Sequence, residues 1–348
     1  MSMEKILDKD GLNDWIAALA KTGWDVYAPA LEDGVWAYKP AADAVRLDFP
    51  NTKQAPKGFA FPQREVFFSF EQLKGEAPRL KQVLPEARQR AVFGVRPCDG
   101  RGAVRMDRVF KDNVDDPYYQ TRRKNLVYVG LACNAPPSAT CFCKSVGGSP
   151  VSTDGLDILL TDLGNRYFVA AITETGKAMM AVAGSPLADA TAADRKQVKQ
   201  AHAEAEAQPQ RAVNNAEAAP AKLKASFNSP LWEEMARACI GCGICTFLCP
   251  TCHCFDINDE VTGAVPMKGN RVRTWDNCQF PDFTMHSSGH NPRENTGARL
   301  RQRVCHKFQY FHENFGMLQC TGCGRCVAEC PVGIDIVAVV NKVAENVG

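Results

Sequence analysis

The sequence predicts an α+β chain. An N-terminal mixed α/β domain covers residues 1–185, a polar helical linker 186–226, and an all-helical, cysteine-rich domain 227–348. Three observations predict it. Short apolar or alternating runs, punctuated by Gly, Pro and Asp, occupy residues 24–173. A stretch rich in Ala, Glu, Gln and Lys follows, poor in large apolar side chains. Beyond 230, helix-forming segments surround two copies of one cysteine pattern, CIGCGICTFLCP (239–250) and CTGCGRCVAECP (320–331).

Taken in order, residues 1–23 read as one amphipathic helix. Leu12, Trp15, Ile16 and Leu19 recur at helical spacing, and Gly23 stands where a helix stops. WDVYAP, GVWAYKP, VRLDF and EVFFSF read as strands. AVFGV (91–95) and NLVYVGLAC (125–133) read as buried strands, each running into a loop with a cysteine. LDILLTDLGNRYFVAAIT (156–173) reads as a hairpin closed at Gly164-Asn165. In 186–226, Pro209 and Pro220 interrupt an otherwise helical composition. PLWEEMARAC, RLRQRVCHKFQYFHENFG and IDIVAVVNKVAENVG are the helices expected after 230, where no strand pattern stands out.

A net charge of +2 over 348 residues gives no electrostatic case for nucleic acid or a membrane surface as partner. No apolar stretch approaches the ~20 residues of a membrane span. The opening residues MSMEKILDKDGLNDW carry no apolar export core, so the expected compartment is the cytoplasm. Sixteen cysteines in a reducing compartment point to metal rather than to disulfides.

The cysteine spacing says which metal. A C-x-x-C-x-x-C loop curls around one face of an iron–sulfur cube, and the fourth thiolate comes from elsewhere. In the bacterial run C-x₂-C-x₂-C-x₃-C-P the fourth cysteine serves the other cluster. That rule assigns Cys239, Cys242, Cys245 and Cys330 to one [4Fe–4S] cluster, and Cys320, Cys323, Cys326 and Cys249 to a second. Gly241, Gly243, Gly322 and Gly324 let the backbone approach the sulfides, and Pro250 and Pro331 turn the chain away. Zinc sites use paired C-x-x-C knuckles, a less specific pattern than two four-cysteine runs each closed by proline. The C-terminal domain is therefore expected to be ferredoxin-like, all helical, with two [4Fe–4S] clusters.

Cys98, Cys133, Cys141 and Cys143 lie in loops of the N-terminal domain, two of them just after buried strands, where ligand sites collect. They are expected to hold a third cluster, [4Fe–4S] in preference to [2Fe–2S]; the alternative is four buried thiols packed as small apolar groups. Cys252, Cys254 and Cys278 are candidate further thiols, as ligands or redox groups, whereas Cys305 sits inside a helical pattern and reads as packing. The histidines His253, His286, His290, His306 and His312 lack the spacing of a zinc helix. No G-x-G-x-x-G is present, so no flavin or nucleotide site is indicated. Between 265 and 310 eight Lys and Arg face three acids. That run reads as a solvated face or as charge neutralising the clusters, before a docking surface for an acidic electron carrier.

GVRPCD (94–99), TCFCKS (140–145), CPTCHCFDI (249–257), RVRTWDNC (271–278), GHNPR (289–293), RQRVCHKFQYF (301–311) and CGRCVAECPVGIDI (323–336) together resemble a known family. It is that of the beta subunit of cytoplasmic sulfhydrogenases and the corresponding iron–sulfur subunit of anaerobic sulfite reductases. The resemblance covers most of the chain outside 186–226. It implies a non-catalytic electron-transfer subunit of an oxidoreductase complex, relaying electrons between a flavin-containing reductase subunit and a catalytic metalloenzyme subunit. It also implies that the N-terminal cysteines bind a cluster. The competing readings are a stand-alone iron–sulfur oxidoreductase that binds a flavin or organic substrate itself, and a zinc-stabilised interaction module.

Overall fold

The structure is a computed structural model that describes residues 3–41, 44–112 and 115–345. Its first sheet has eight strands: β1 (Glu4–Asp8), β2 (Asp25–Glu32), β3 (Val35–Pro40), β6 (Arg90–Val95), β7 (Leu126–Leu131), β8 (Ile158–Asp162), β9 (Arg166–Ala171) and β10 (Ala188–Asp189). β4 (Arg64–Gln72), β5 (Arg79–Gln82), β11 (Phe255–Ala264) and β12 (Met267–Trp275) form a second sheet of four strands. The order in the first sheet is β10-β1-β9-β8-β7-β6-β2-β3. Its centre, β2, β6, β7 and β8, is parallel. Parallel strands are covered on both faces, which accounts for the unbroken apolar runs of β6 and β7. On one face Phe93 and Val129 pack with Trp15 and Leu19 of α1 (Leu12–Lys21). On the other, Val92 and Tyr128 pack with Phe61, Tyr119 of α3 (Pro117–Lys124), and Met106 of α2 (Pro97–Val109). Gly94, at φ +74°, shifts the register between Phe93 and Val95 and turns the end of β6 toward Cys98.

After β9, α4 (Glu174–Met180) leads to β10, and α5 (Ala192–Ala207) and α6 (Ala219–Ala225) follow. Pro209 lies just beyond α5, whereas Pro220 opens α6, where its missing N–H is harmless. Leu223 of α6 and Val213 are buried in the C-terminal core. That core is completed by α7 (Leu231–Ala236), α9 (Thr296–Cys305), α11 (Arg325–Ala328) and α12 (Ile336–Glu345), while α8 (Ile244–Phe247) and α10 (Phe311–Phe315) lie outside it. Between α9 and α10 the helix widens into a π turn at His306–Tyr310.

The expected all-helical C-terminal domain is not what folds. β11 and β12 make a long antiparallel hairpin, and β12 pairs with β4 from the N-terminal half. Phe255, Ile257 and Val261 do alternate, but Asp259 interrupts the apolar series and most of β11 is exposed. The stabilising partner lies about 200 positions away in sequence, at β4, so no local pattern carries it. Arg273 of β12 secures the junction. Its guanidinium is buried among Phe61, Phe67, Phe110 and Phe255 and pairs with Glu65 and Asp116. Asp116 also caps α3 through Tyr118 and Tyr119 N–H, both at 2.9 Å.

Two smaller expectations also fail. Within residues 1–23, Glu4–Asp8 is strand β1, paired with β9 and β10. Adjacent Ile6 and Leu7 serve opposite faces of the sheet, a use that helical periodicity cannot register. VRLDF is not a strand, although Leu47 and Phe49 enter the core. Residues 1–2 of the first expected helix and 346–348 of the last lie outside the described residues.

Candidate metal centres

The cysteines fall into three groups, the third of them where the two halves meet. Cys239, Cys242 and Cys245 wrap one wall of a recess, and Cys326 and Cys330 of the second run face them. Gly241 and Gly243 take φ +66° and +77°, which curls the loop ahead of α8. Cys330 Sγ accepts the N–H of Ile334 at 3.2 Å. Cys242 is the most exposed thiol of the chain's sixteen.

Cys249, of the first run, also neighbours the second. Its sulfur is close enough to Cys320, Cys323 and Cys326 to raise the thiol pKa of each, behind the larger effect of burial. The π turn positions this second run. Widening the helix frees the carbonyl of Lys307, which accepts the N–H of Gln319 at 3.0 Å and of Cys320 at 3.3 Å.

Cys98, Cys133, Cys141 and Cys143 line another recess, the third site, together with Cys323. The parallel sheet supplies two of them: Cys98 follows β6 at the start of α2, and Cys133 follows β7. Such carboxyl ends are where open α/β sheets place ligands. Phe142 N–H donates to Gly322 O at 2.9 Å. A Cβ on Gly322 would stand 2.5 Å from the Cys143 backbone, and one on Gly324 2.5 Å from Thr140 O. These glycines thus let the second run lie directly on the 140–143 loop. Burial pushes the Cys133 and Cys141 thiols up to about 11, so holding a metal there requires its positive charge to draw off their protons.

The charge around these thiols is cationic. Lys57, Arg303 and Lys307 are all buried. Lys57 Nζ donates to Cys252 O at 2.9 Å and lies 4.2 Å from the Trp275 ring. Arg303 Nη1 reaches Cys252 Sγ and Thr246 Oγ1, each at 3.4 Å. Lys307 Nζ donates to Thr251 Oγ1 at 2.8 Å and to Gln319 Oε1 at 3.0 Å. Burial lowers Lys57 to about 8. Burial also opposes the charges on Arg303 and Lys307, but the surrounding sulfurs outweigh it and raise both. None of the three forms a carboxylate ion pair among the described residues, unlike Arg325, which is bidentate to Asp99 at 2.5 and 2.8 Å. Buried cations without carboxylates require another anion beside them, and cysteine-bound iron–sulfide cages are anionic. The donors and the charge both fit such a group.

Residues 238–334 match the 4Fe-4S dicluster domain family. The chain is 33% identical to the sulfhydrogenase 2 subunit beta of Pyrococcus furiosus over 327 residues, 92% of either protein. The chain belongs to the sulfhydrogenase beta-subunit family. No solved structure matches it. Among the described residues no helix is long and apolar enough to cross a membrane.

In this family member the remaining thiols divide by environment. Cys305 is fully buried in the apolar core beside Val304 and Phe308, consistent with packing. Cys252 lies against Cys249, and Cys254 against Cys278. His253 and His306 sit ring to ring at 5.4 Å, and burial lowers them to about 4 and about 3, so both are neutral. The basic run of 265–310 is not one face: Arg273, Arg299, Arg303 and Lys307 point inward, while Arg271 pairs with Asp259 outside. Sequence reading did not single out Lys57, Asp99 or Arg325. For Arg299, Arg303 and Lys307 a signal existed, since basic residues four apart on a helix share one stripe. Lys57 had none, because its partners lie beyond residue 245.

Proposed function

We propose that this chain is the iron–sulfur electron-transfer subunit of a multisubunit redox complex. It relays electrons between a flavin-containing reductase subunit and a catalytic metalloenzyme subunit, and has no catalytic site of its own. Three clusters stand in a row: one on Cys239, Cys242, Cys245 and Cys330, one on Cys320, Cys323, Cys326 and Cys249, and one on Cys98, Cys133, Cys141 and Cys143. A bound [4Fe–4S] cluster takes up and gives back single electrons at low potential.

One observation carries the reading. The second cysteine run contributes to both outer recesses, Cys326 and Cys330 to the first and Cys323 to the third. Neighbouring centres held on one short segment are close enough to exchange electrons without a mobile carrier. The chain's other residues fix and tune that row. Lys57, Arg303 and Lys307 place positive charge beside the middle centre, where it favours the reduced form. The Arg325–Asp99 pair ties α11, between Cys323 and Cys330, to the first turn of α2, next to Cys98. Among the described residues no three His, Cys, Asp or Glu side chains converge closely enough for a single ion.

The test is iron and acid-labile sulfide per chain, with paramagnetic resonance after dithionite, on anaerobically prepared protein. About twelve irons with matching sulfide and interacting reduced centres are expected for three cubes. Pale protein without sulfide refutes the reading, and stoichiometric flavin on the isolated chain replaces it with a stand-alone oxidoreductase. Anaerobic co-purification identifies the partner subunits.

A further inference from the structure

Cys254 and Cys278 belong to neither ferredoxin run and line neither of the two outer recesses. They flank the open end of the β11–β12 hairpin, whose pairing continues as Asp276 N–H donates to Cys254 O at 3.0 Å. This keeps the two backbones side by side, and the two thiols lie against one another. The surroundings also differ from those of a packed thiol. Gln279 Nε2 donates to Cys278 Sγ at 3.5 Å, and the Thr246 hydroxyl stands 3.7 Å from the same sulfur. Such donors favour thiolate, the form that attacks and forms disulfides. Thr246 Oγ1 also lies 4.0 Å from Cys245 Sγ, so the pair is separated from a proposed cluster ligand by one hydroxyl. Cys254 is only partly buried, which leaves protons a route to solvent.

The geometry points to a dithiol–disulfide couple at Cys254 and Cys278, a two-electron store beside one-electron centres. It rests on the relay reading, because the clusters are its electron source. In reduction the Cys254–Cys278 S–S bond takes two electrons and two protons, the bond breaks, and two thiols form. The electrons arrive singly from two reduced iron–sulfur clusters, each of which returns to its oxidised state. In oxidation the same two electrons leave singly, two protons go to solvent, and the S–S bond forms. Ferredoxin-type clusters commonly lie below ordinary protein disulfides in potential, so the spontaneous direction is reduction of the disulfide. The arrangement lets a wire that moves one electron at a time meet donors or acceptors that move two.

The experiment uses the full iron-loaded chain under anaerobic conditions. Protein is oxidised with glutathione disulfide or reduced with dithionite, alkylated, digested and mapped by mass spectrometry, with iron counted in parallel. A Cys254–Cys278 cross-linked peptide is expected after oxidation and is lost on reduction, at constant iron. In dithionite titrations the wild type takes up two electrons per chain more than its cluster signals account for. Cys254→Ser and Cys278→Ser each lose those two and keep their iron. Free thiols at both positions under every condition overturn the couple. So does loss of iron in either serine variant, which makes the two cysteines cluster ligands. Wild-type protein without iron sinks the relay reading instead, and the cross-link then decides the couple alone.

Discussion

Replacing Lys307 by methionine should lower the reduction potential of one cluster by roughly 100 mV. The contacts of 2.8 Å and 3.3 Å that meet at Thr251 Oγ1 put the Lys307 ammonium no more than about 6 Å from Cys249 Sγ. A unit charge at ~6–8 Å with an effective dielectric of ~20 is worth about 2–3 kcal/mol. For one electron, about 59 mV corresponds to ~1.4 kcal/mol, which converts this to roughly 90–120 mV. The sign follows from charge. Reduction adds an electron beside the ammonium, so removing the ammonium destabilises the reduced state and the potential falls. Salt should not erase the effect, because Lys307 is 2% exposed. The assay is a redox titration followed by paramagnetic resonance. One of the two C-terminal reduction steps should move and the other stay nearly in place. Lys307→Arg, which keeps the charge, should restore most of the potential and controls for disruption of the Thr251 and Gln319 contacts. A shift under about 20 mV in the methionine variant with iron retained, or an upward shift, refutes the assignment of this cation to the Cys249 centre.

Cys242→Ser and Cys330→Ser should deplete the same cluster signal, though the residues belong to different runs; loss of different signals breaks the ligand exchange. Cys98→Ser should lower iron by about four per chain and leave the two C-terminal signals intact, and unchanged iron removes the third cluster. Arg325→Met leaves Asp99 buried without its partner and should cost about 3–5 kcal/mol, measured by denaturant unfolding. Adding Asp99→Asn should recover part of that loss, and additive losses speak against a coupled pair.

The cysteine spacing made the grouping of the C-terminal thiols legible, because three of them fall within seven residues with glycines where φ turns positive. The N-terminal thiols were legible as a group, since buried strands ending in Cys98 and Cys133 announce one end of a parallel sheet. Legibility stopped where partners are distant. Nothing near Phe255–Ala264 reveals that β12 completes a sheet begun at β4, and the helical neighbourhood argued the other way. Lys57 is similarly mute, an ordinary lysine before glycine until the fold sets it under Trp275 and beside Cys252.

The segment between the two runs is better understood as the element that aligns them than as a spacer. The runs begin at 239 and 320, too far apart in sequence for one loop to fix their relative position. The hairpin anchors one side of this segment to the N-terminal half through Arg273 and β4. The π turn anchors the other, by offering the Lys307 carbonyl to Gln319 and Cys320. Gly322 and Gly324 then seat the second run against Thr140–Cys143. If only the clusters held the runs together, metal-free chain would lose their alignment. Because protein contacts hold it as well, the alignment of the two runs does not rest on clusters alone. Gly322→Ala should therefore disturb the first recess less than the third, although residue 322 lies within the C-terminal run.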